Sequence, residues 1–148
     1  MDIPLKLEEK QRLKEQKIFK KNLSSFSMIE IQEALHVSYD RARFLFALIQ
    51  FQSIPSIGIR FAEDLVSIGL FSISDLKGKH PAHLFNTYEQ ERGCQVDLCV
   101  EDQFRLAVDY AEHGDHGKKW WDYTKERKLY REKYGFPKSR PKVKWNEI

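Results

Sequence analysis

The chain has 148 residues and a formal net charge of +3, with 41% hydrophobic and 32% charged residues, which suits one soluble domain with extensions. No apolar run approaches the roughly 20 residues that span a membrane, and the N-terminus lacks the layout of a signal peptide, so we expect no membrane partner. Two cysteines without a secretion signal predict a reducing, cytoplasmic location.

Charge divides the chain into three segments. Residues 1–24 carry 7 basic and 4 acidic side chains, residues 25–116 carry 7 and 14, and residues 117–148 carry 11 and 4. We predict a charged N-terminal helical extension, an acidic central domain, and a basic, aromatic C-terminal helix and tail. Attraction to a polyanion would come mainly from the two ends.

The first predicted helix lies within residues 5–21 of the N-terminal extension. Good helix formers are dense here, but the apolar side chains form no continuous stripe, so we expect a charged helix in solvent, with a nucleic-acid-binding arm as the alternative. Ser27 and Glu30 then form a capping box, which predicts a helix ending near Leu35. Ser38 is placed to cap a further helix that ends near Gln50.

The two helices within residues 27–50 resemble a helix-turn-helix DNA reader. The run 44–49 in the second helix is apolar almost all round, and such a helix is buried rather than placed in a DNA groove. Only Arg41 and Arg43 could reach a phosphate from it. We therefore interpret this helix as a core element that leads into the next motif.

The segment 51–65 has the pattern apolar-x-x-Ile-Pro-Ser-Ile-Gly-x-x-x-Ala-x-x-Leu, which resembles the hairpin of a helix-hairpin-helix DNA-binding motif. Pro55 fixes φ for a tight turn, and we expect Gly58 to take a positive φ and to admit close approach of another backbone. A helix beginning at Ile59 would direct unpaired N–H groups outward, where a phosphate is the natural occupant.

The motif usually has a glycine where this chain has Ser56, and serine takes a left-handed conformation less readily than glycine. This departure affects the phosphate-binding prediction more than the fold prediction. An ordinary Pro/Gly connection between helices, without a ligand, is the alternative. The predicted phosphate-binding residues of the hairpin are Ser56, Gly58, Ile59 and Arg60.

Two further helices follow the hairpin. After a helix-ending glycine, Ser74 is expected to cap a short helix, and Pro81 suits the first position of a helix that runs to about Arg92. An amphipathic helix is predicted from about Val96 to His113. Its expected solvent face consists of Glu101, Asp102, Arg105, Asp109 and Glu112.

Cys94, Cys99, His113 and His116 have a spacing close to that of a zinc finger. However, Cys99 and His113 would lie at opposite ends of one helix, roughly 21 Å apart, so one ion could not bind both. No nucleophile, base and orienting group stand out together. We therefore predict no metal site, no cofactor and no catalysis.

The C-terminal segment combines aromatic and basic residues. Such a stripe stacks bases and contacts phosphates in some proteins, and docks against the core in others. We favour core packing for Trp120 and Trp121. The tail beyond residue 135 lacks apolar periodicity and is expected to face solvent. Its predicted phosphate contacts are Lys138, Arg140, Lys142 and Lys144.

From Phe51 to Trp121 the order of features resembles the "pathogenicity locus" family of small bacterial helix-hairpin-helix proteins, some of which carry mitomycin-resistance labels. The matching marks are Ile54-Pro55 with Gly58, Ala62-Glu63-Asp64-Leu65, Ser74-x-Leu76-Lys77-Gly78, Asp97-x-Cys99, Phe104-Arg105-x-Ala107-Val108, Ala111-Glu112 and Trp120-Trp121. The resemblance implies an all-α fold and, by association, DNA binding. It implies no defined activity.

These patterns predict an all-α protein with a helix-hairpin-helix core in a compact multi-helix domain and charged helical or extended ends. The predicted function is DNA binding without sequence specificity, with double-stranded DNA as the partner and phosphate as the contacted group. The alternative is a protein–protein interaction module with the same helical fold and no nucleic acid.

Overall fold

The computed structural model describes residues 1–148 and is all-helical, which confirms the predicted fold class. The α-helices are α1 (Leu7–Glu15), α2 (Met28–Leu35), α3 (Tyr39–Gln52), α4 (Ile59–Ser67), α5 (Pro81–Arg92), α6 (Cys99–His113) and α7 (Thr124–Tyr134). Short 3₁₀ segments lie at Lys20–Ser25, Ile73–Leu76, Trp120–Tyr123 and Trp145–Glu147. None of the helices has both the length and the apolar character that crossing a membrane requires.

Two hydrophobic clusters make up the core. The larger one joins α3, α4, α5 and α6, and its centre contains Phe61 and Phe104, whose rings meet edge to face at 4.9 Å. The smaller cluster joins α1, α2 and α3 through Leu13, Ile31 and Leu45. Because α3 contributes to both clusters, it is buried as predicted and cannot lie in a DNA groove.

Most helix starts follow the predicted local signals. The Glu30 amide donates to the Ser27 hydroxyl at 3.1 Å, and the Ser27 amide donates to the Glu30 carboxylate at 2.9 Å, which completes the predicted capping box. The prediction for Ser74 is wrong, because Ser72 caps that short helix by accepting the Asp75 amide at 3.2 Å.

The start of α6 also differs from the prediction. The helix begins at Cys99 rather than near Val96. The Val96 amide donates to the carboxylate of Glu89 on α5, and the Cys99 amide donates to the side chain of Asp97. Residues 96–98 therefore form a connection between helices: the Cys99 amide, which a helix beginning at Val96 would direct to the Gln95 carbonyl, donates to Asp97 instead.

The N-terminal helix is docked rather than solvated, which corrects the prediction for this segment. Leu13 is buried, and the carboxylate of Glu9 is 1% exposed. The Arg41 guanidinium of α3 donates to that carboxylate through Nε at 3.0 Å and Nη2 at 2.9 Å. A carboxylate buried without such a partner would be strongly unfavourable, so the ion pair makes the docking possible.

The expected solvent face of α6 is largely covered, which is a second correction. Glu101 and Asp102 are fully buried, and Arg105 nearly so. Helix α7 lies over this face: Arg127 donates to Asp102 at 2.9 Å, and Arg131 donates to Glu101 at 2.7 Å. The periodicity of α6 identified a helix with a charged face, but it held no information about a second helix that neutralises those charges.

Candidate nucleic-acid interface

The connection between α3 and α4 is a tight turn with an apolar underside. Ile54 and Ile57 are buried, as the sequence indicates, and the Ile57 amide donates to the Ile54 carbonyl at 3.1 Å. This bond closes a four-residue turn with Pro55 in its second position and Ser56, at φ +65°, in its third. Proline followed by a residue of positive φ is the pattern of a type II turn.

The residue with the left-handed backbone is therefore Ser56 and not Gly58, which corrects the prediction. Gly58 has φ −102° and ψ −174°, an extended conformation that any residue adopts, and it is the N-cap of α4. Apart from its immediate chain neighbours, no atom lies within 4 Å of a Cβ atom added at Gly58. The space in front of this glycine is open to an approaching ligand.

The side chain of Ser56 joins the hairpin to the C-terminal segment. Its hydroxyl accepts the backbone N–H of Trp120 at 3.1 Å. A left-handed backbone costs a non-glycine residue about 1–2 kcal/mol, and a hydrogen bond contributes about 1 kcal/mol in return. The bond explains why serine is tolerated at this position of the turn.

The start of α4 is an uncapped helix N-terminus. No side chain caps it, and its first turn contains no acidic residue. The backbone N–H groups of Ile59, Arg60 and Phe61 donate to no other group of the chain, and the first amide engaged is that of Ala62, which donates to the Gly58 carbonyl at 3.1 Å. Together with the positive end of the helix dipole, these amides can hold an anion.

Arg60 is exposed and forms no ion pair, so its guanidinium is free to reach a phosphate beside these amides. Arg60 lines a groove of about 770 Å³ together with Arg92 and the carboxylates of Glu63, Asp64 and Asp97. Burial raises the pKa of Asp64, while the Tyr88 hydroxyl, which donates to it at 2.7 Å, acts in the opposite direction. The groove therefore carries charges of both signs.

Basic and aromatic residues lie on the segment that Ser56 holds. Lys118 and Lys119 take part in no ion pair, and the Lys118 ammonium lies 5.3 Å from the centre of the Tyr123 ring. Trp120 packs against the core as expected, whereas Trp121 is 55% exposed, so the expectation of core packing is wrong for Trp121. Sequence reasoning did not place this segment beside the hairpin, because 64 residues separate Ser56 from Trp120.

The tail carries free lysines but not a free arginine. Lys138, Lys142 and Lys144 are exposed as expected. Arg140 is not, because its guanidinium donates to the buried carboxylate of Glu89 at 2.8 and 3.1 Å and lies 3.7 Å from the centre of the Phe136 ring. The tail also folds back on the domain, where main-chain hydrogen bonds join Gln95 to residues 143 and 145.

The ion pairs of this molecule use arginine rather than lysine. Six of the seven ion pairs use arginine, the seventh uses His113, and none uses lysine. Arg41 is held by Glu9, and Arg43 stacks at 3.7 Å on Phe71, so neither is a free cation. The planar guanidinium suits buried ion pairs with carboxylates. The presence of arginine rather than lysine is therefore the one signal in the sequence that could have indicated which cations form these pairs.

No three His, Cys, Asp or Glu side chains lie close enough together to hold a metal ion. Both cysteines are free thiols, and Cys94 is buried.

Comparison with known proteins identifies one family and one curated relative that this chain resembles. The profile of a family described as "Pathogenicity locus" matches residues 46–129, which run from α3 into α7. The mitomycin resistance protein McrB of Streptomyces lavendulae is 33% identical over 76 residues, which cover 51% of this chain and 71% of that protein. No solved structure is significantly similar to the chain.

Proposed function

The chain belongs to the Pathogenicity locus family, and we propose that it binds DNA without sequence specificity through the α3–α4 hairpin. The observation that carries the proposal is the set of three unpaired amides at the start of α4, with no acidic side chain in that turn. A helix N-terminus of this kind favours a phosphate over a neutral group.

In this proposal a phosphate oxygen accepts hydrogen bonds from the backbone amides of Ile59 and Arg60, and the Arg60 guanidinium forms an ion pair with the same phosphate. The Ser56 hydroxyl accepts from Trp120 and still has its own hydrogen to donate. The exposed lysines of the tail supply attraction over a longer distance. Phosphate contacts carry no base information, so the binding is independent of sequence, and it needs neither a cofactor nor a catalytic group.

The variant Gly58→Asp tests the proposal, because it moves stability and binding in opposite directions. An aspartate at the N-cap accepts hydrogen bonds from the free amides itself, and its negative charge interacts favourably with the helix dipole. Both effects should stabilise the fold by about 0.5–1 kcal/mol. The same carboxylate occupies and repels the phosphate position. We expect DNA affinity, measured by fluorescence anisotropy at low salt, to fall at least about tenfold, which corresponds to 1.4 kcal/mol.

Lys10→Gln, which like Gly58→Asp lowers the charge by one, is the control, because Lys10 is exposed on α1, which packs on α2 and α3 rather than on α4. This variant should bind DNA nearly as well as the parent. If Gly58→Asp melts at a higher temperature and binds DNA unchanged, the hairpin is not the site. If the parent itself binds no DNA at low salt, the whole proposal is rejected.

A protein-interaction module is the second candidate, and exposed apolar side chains favour it. Leu129 of α7 is 57% exposed and Ile29 of α2 is 61% exposed. A protein partner bound through such residues would remain bound at high salt, whereas DNA binding would weaken steeply. Recovery of a specific protein at high salt, with no DNA binding at low salt, would favour this candidate. In both cases we place the protein in the cytoplasm, where its free thiols stay reduced.

A further inference from the structure

The hydrogen bond between Ser56 and Trp120 joins a segment with an exposed tryptophan, Trp121, to the turn that precedes the proposed phosphate site. Resting on the proposed function, we infer that the protein prefers DNA with unpaired nucleotides over intact duplex, and that one unpaired base stacks on Trp121. Two features carry this inference: an exposed aromatic ring that is held on one side, and free cations on the same segment.

Trp121 is held in place through Trp120. The Trp120 amide is 3.1 Å from the Ser56 hydroxyl, its ring packs against the core, and the ring of Trp121 meets it edge to face with centroids 5.4 Å apart at 83°. A ring fixed on one side and 55% exposed on the other loses little freedom when a base stacks on it. Any of the four bases can stack, because each has a π-face.

Unpaired lysines precede Trp121 on the segment that Ser56 joins to the turn. Lys118 and Lys119, which directly precede the two tryptophans, make no ion pair. On the other side of α4, the groove carries charges of both signs, because Arg60 and Arg92 line it together with three carboxylates. A strand held at the α4 amides can continue along the lysine-bearing segment, which the Ser56–Trp120 hydrogen bond joins to the turn.

The inference requires unpaired nucleotides for a physical reason. Inside a duplex both faces of each base are covered by its neighbours, and unstacking a base costs free energy. A single-stranded segment exposes those faces at little cost. Stacking on one aromatic side chain strengthens binding by about tenfold or more.

The test measures anisotropy for a labelled single strand of about 20 nucleotides, the matched duplex, and a duplex with a single-stranded overhang, at one salt concentration. For Trp121→Ala we expect about a tenfold loss on the single strand and the overhang and less than about a twofold loss on the duplex. Trp121→Phe should restore most of the affinity. Tyr134→Ala, which removes an exposed aromatic ring from α7, should change none of the three.

Failure of this inference differs from failure of the proposed function. If Gly58→Asp weakens every DNA while Trp121→Ala lowers all three affinities equally or not at all, hairpin binding stands and base stacking is rejected. Because Trp121 is exposed, its replacement should leave the melting temperature within a few degrees of the parent. A larger shift would itself contradict the surface position on which the inference depends.

Discussion

Ser56 shows how one residue links the turn to the rest of the protein. Its left-handed backbone is required by the turn, since Ile57 must bond back to Ile54. Glycine would meet that requirement with less strain, but it could not accept the amide of Trp120. Serine therefore exchanges backbone strain for a contact that positions the C-terminal segment.

Replacing Ser56 separates these two effects. Ser56→Ala keeps the strain and leaves the partly buried Trp120 amide without its partner, so we expect a loss of about 1–2 kcal/mol in the free energy of unfolding. Ser56→Gly loses the same bond but relieves the strain, and should lie within about 1 kcal/mol of the parent. Urea unfolding measures both. If the glycine variant were less stable than the alanine variant, the left-handed backbone at residue 56 would not be strained as we infer.

At the scale of elements, ion pairs with buried carboxylates dock the outer segments on the core. Arg41 of α3 meets Glu9 of α1, and Arg127 of α7 meets Asp102 of α6. Leu13 beneath α1 adds apolar burial. Each buried carboxylate would disfavour docking if its partner were removed, so the position of α1 and α7 depends on specific pairs as well as on hydrophobic contact.

The docking of α1 should depend on pH. The hydrogen bond from Arg41 is the largest influence on Glu9 and lowers its pKa below the ordinary 4.5, although burial acts in the opposite direction. A lowered carboxyl pKa contributes stability above the unfolded value that is lost as pH falls through the folded value. At pH 7, Glu9→Gln should therefore unfold more easily than the parent by about 1–3 kcal/mol.

The difference between the parent and Glu9→Gln should shrink as the pH is lowered below about 4.5, which chemical denaturation across that range would reveal. Glu8→Gln is the matched control, because the carboxylate of Glu8, the residue next to Glu9, is exposed and forms no ion pair. A constant difference between neutral and strongly acidic pH would mean that the charge of Glu9 does not contribute to docking.

At the scale of the whole molecule, the buried carboxylates pair with arginines, and no lysine forms an ion pair. A net charge of +3 therefore understates the attraction available to a polyanion, because several carboxylates are buried against arginines while the lysines stay unpaired. The tail illustrates the division. Arg140 is bound to Glu89, whereas Lys138 and Lys144 are exposed.

This division predicts a change in the salt dependence of DNA binding. Changing Lys138, Lys142 and Lys144 together to glutamine should reduce the slope of log affinity against log salt by about 0.9 for each phosphate that the protein no longer neutralises. The melting temperature should not change, since these side chains hold no partner. Deleting residues 136–148 would be a poorer test, because it also removes Arg140 and Phe136 from the fold. An unchanged slope would exclude the tail from the interface.

Much of the fold could be predicted from local signals. Ser27 and Ser38 mark helix starts, Pro81 begins α5, and the apolar run in α3 indicates burial. The candidate site was predicted in part, since the turn lies at Pro55–Ser56 as expected. Two predictions were wrong: the left-handed residue of the turn is Ser56 and not Gly58, and Trp121 is exposed rather than packed in the core. The phosphate contacts and the DNA partner stay predictions.

The identity of the helical segments follows from the amino-acid order alone, because caps, proline and apolar periodicity act within a few residues of the chain. Which charges are buried, and what lies beside the hairpin, follows only from the packing of the helices. Those outcomes depend on partners far away along the chain: Glu101 and Arg131 are 30 residues apart, Glu89 and Arg140 are 51 apart, and Ser56 and Trp120 are 64 apart. A carboxylate on a helix looks the same in sequence whether water or a guanidinium faces it, and the difference arises only when the helices pack.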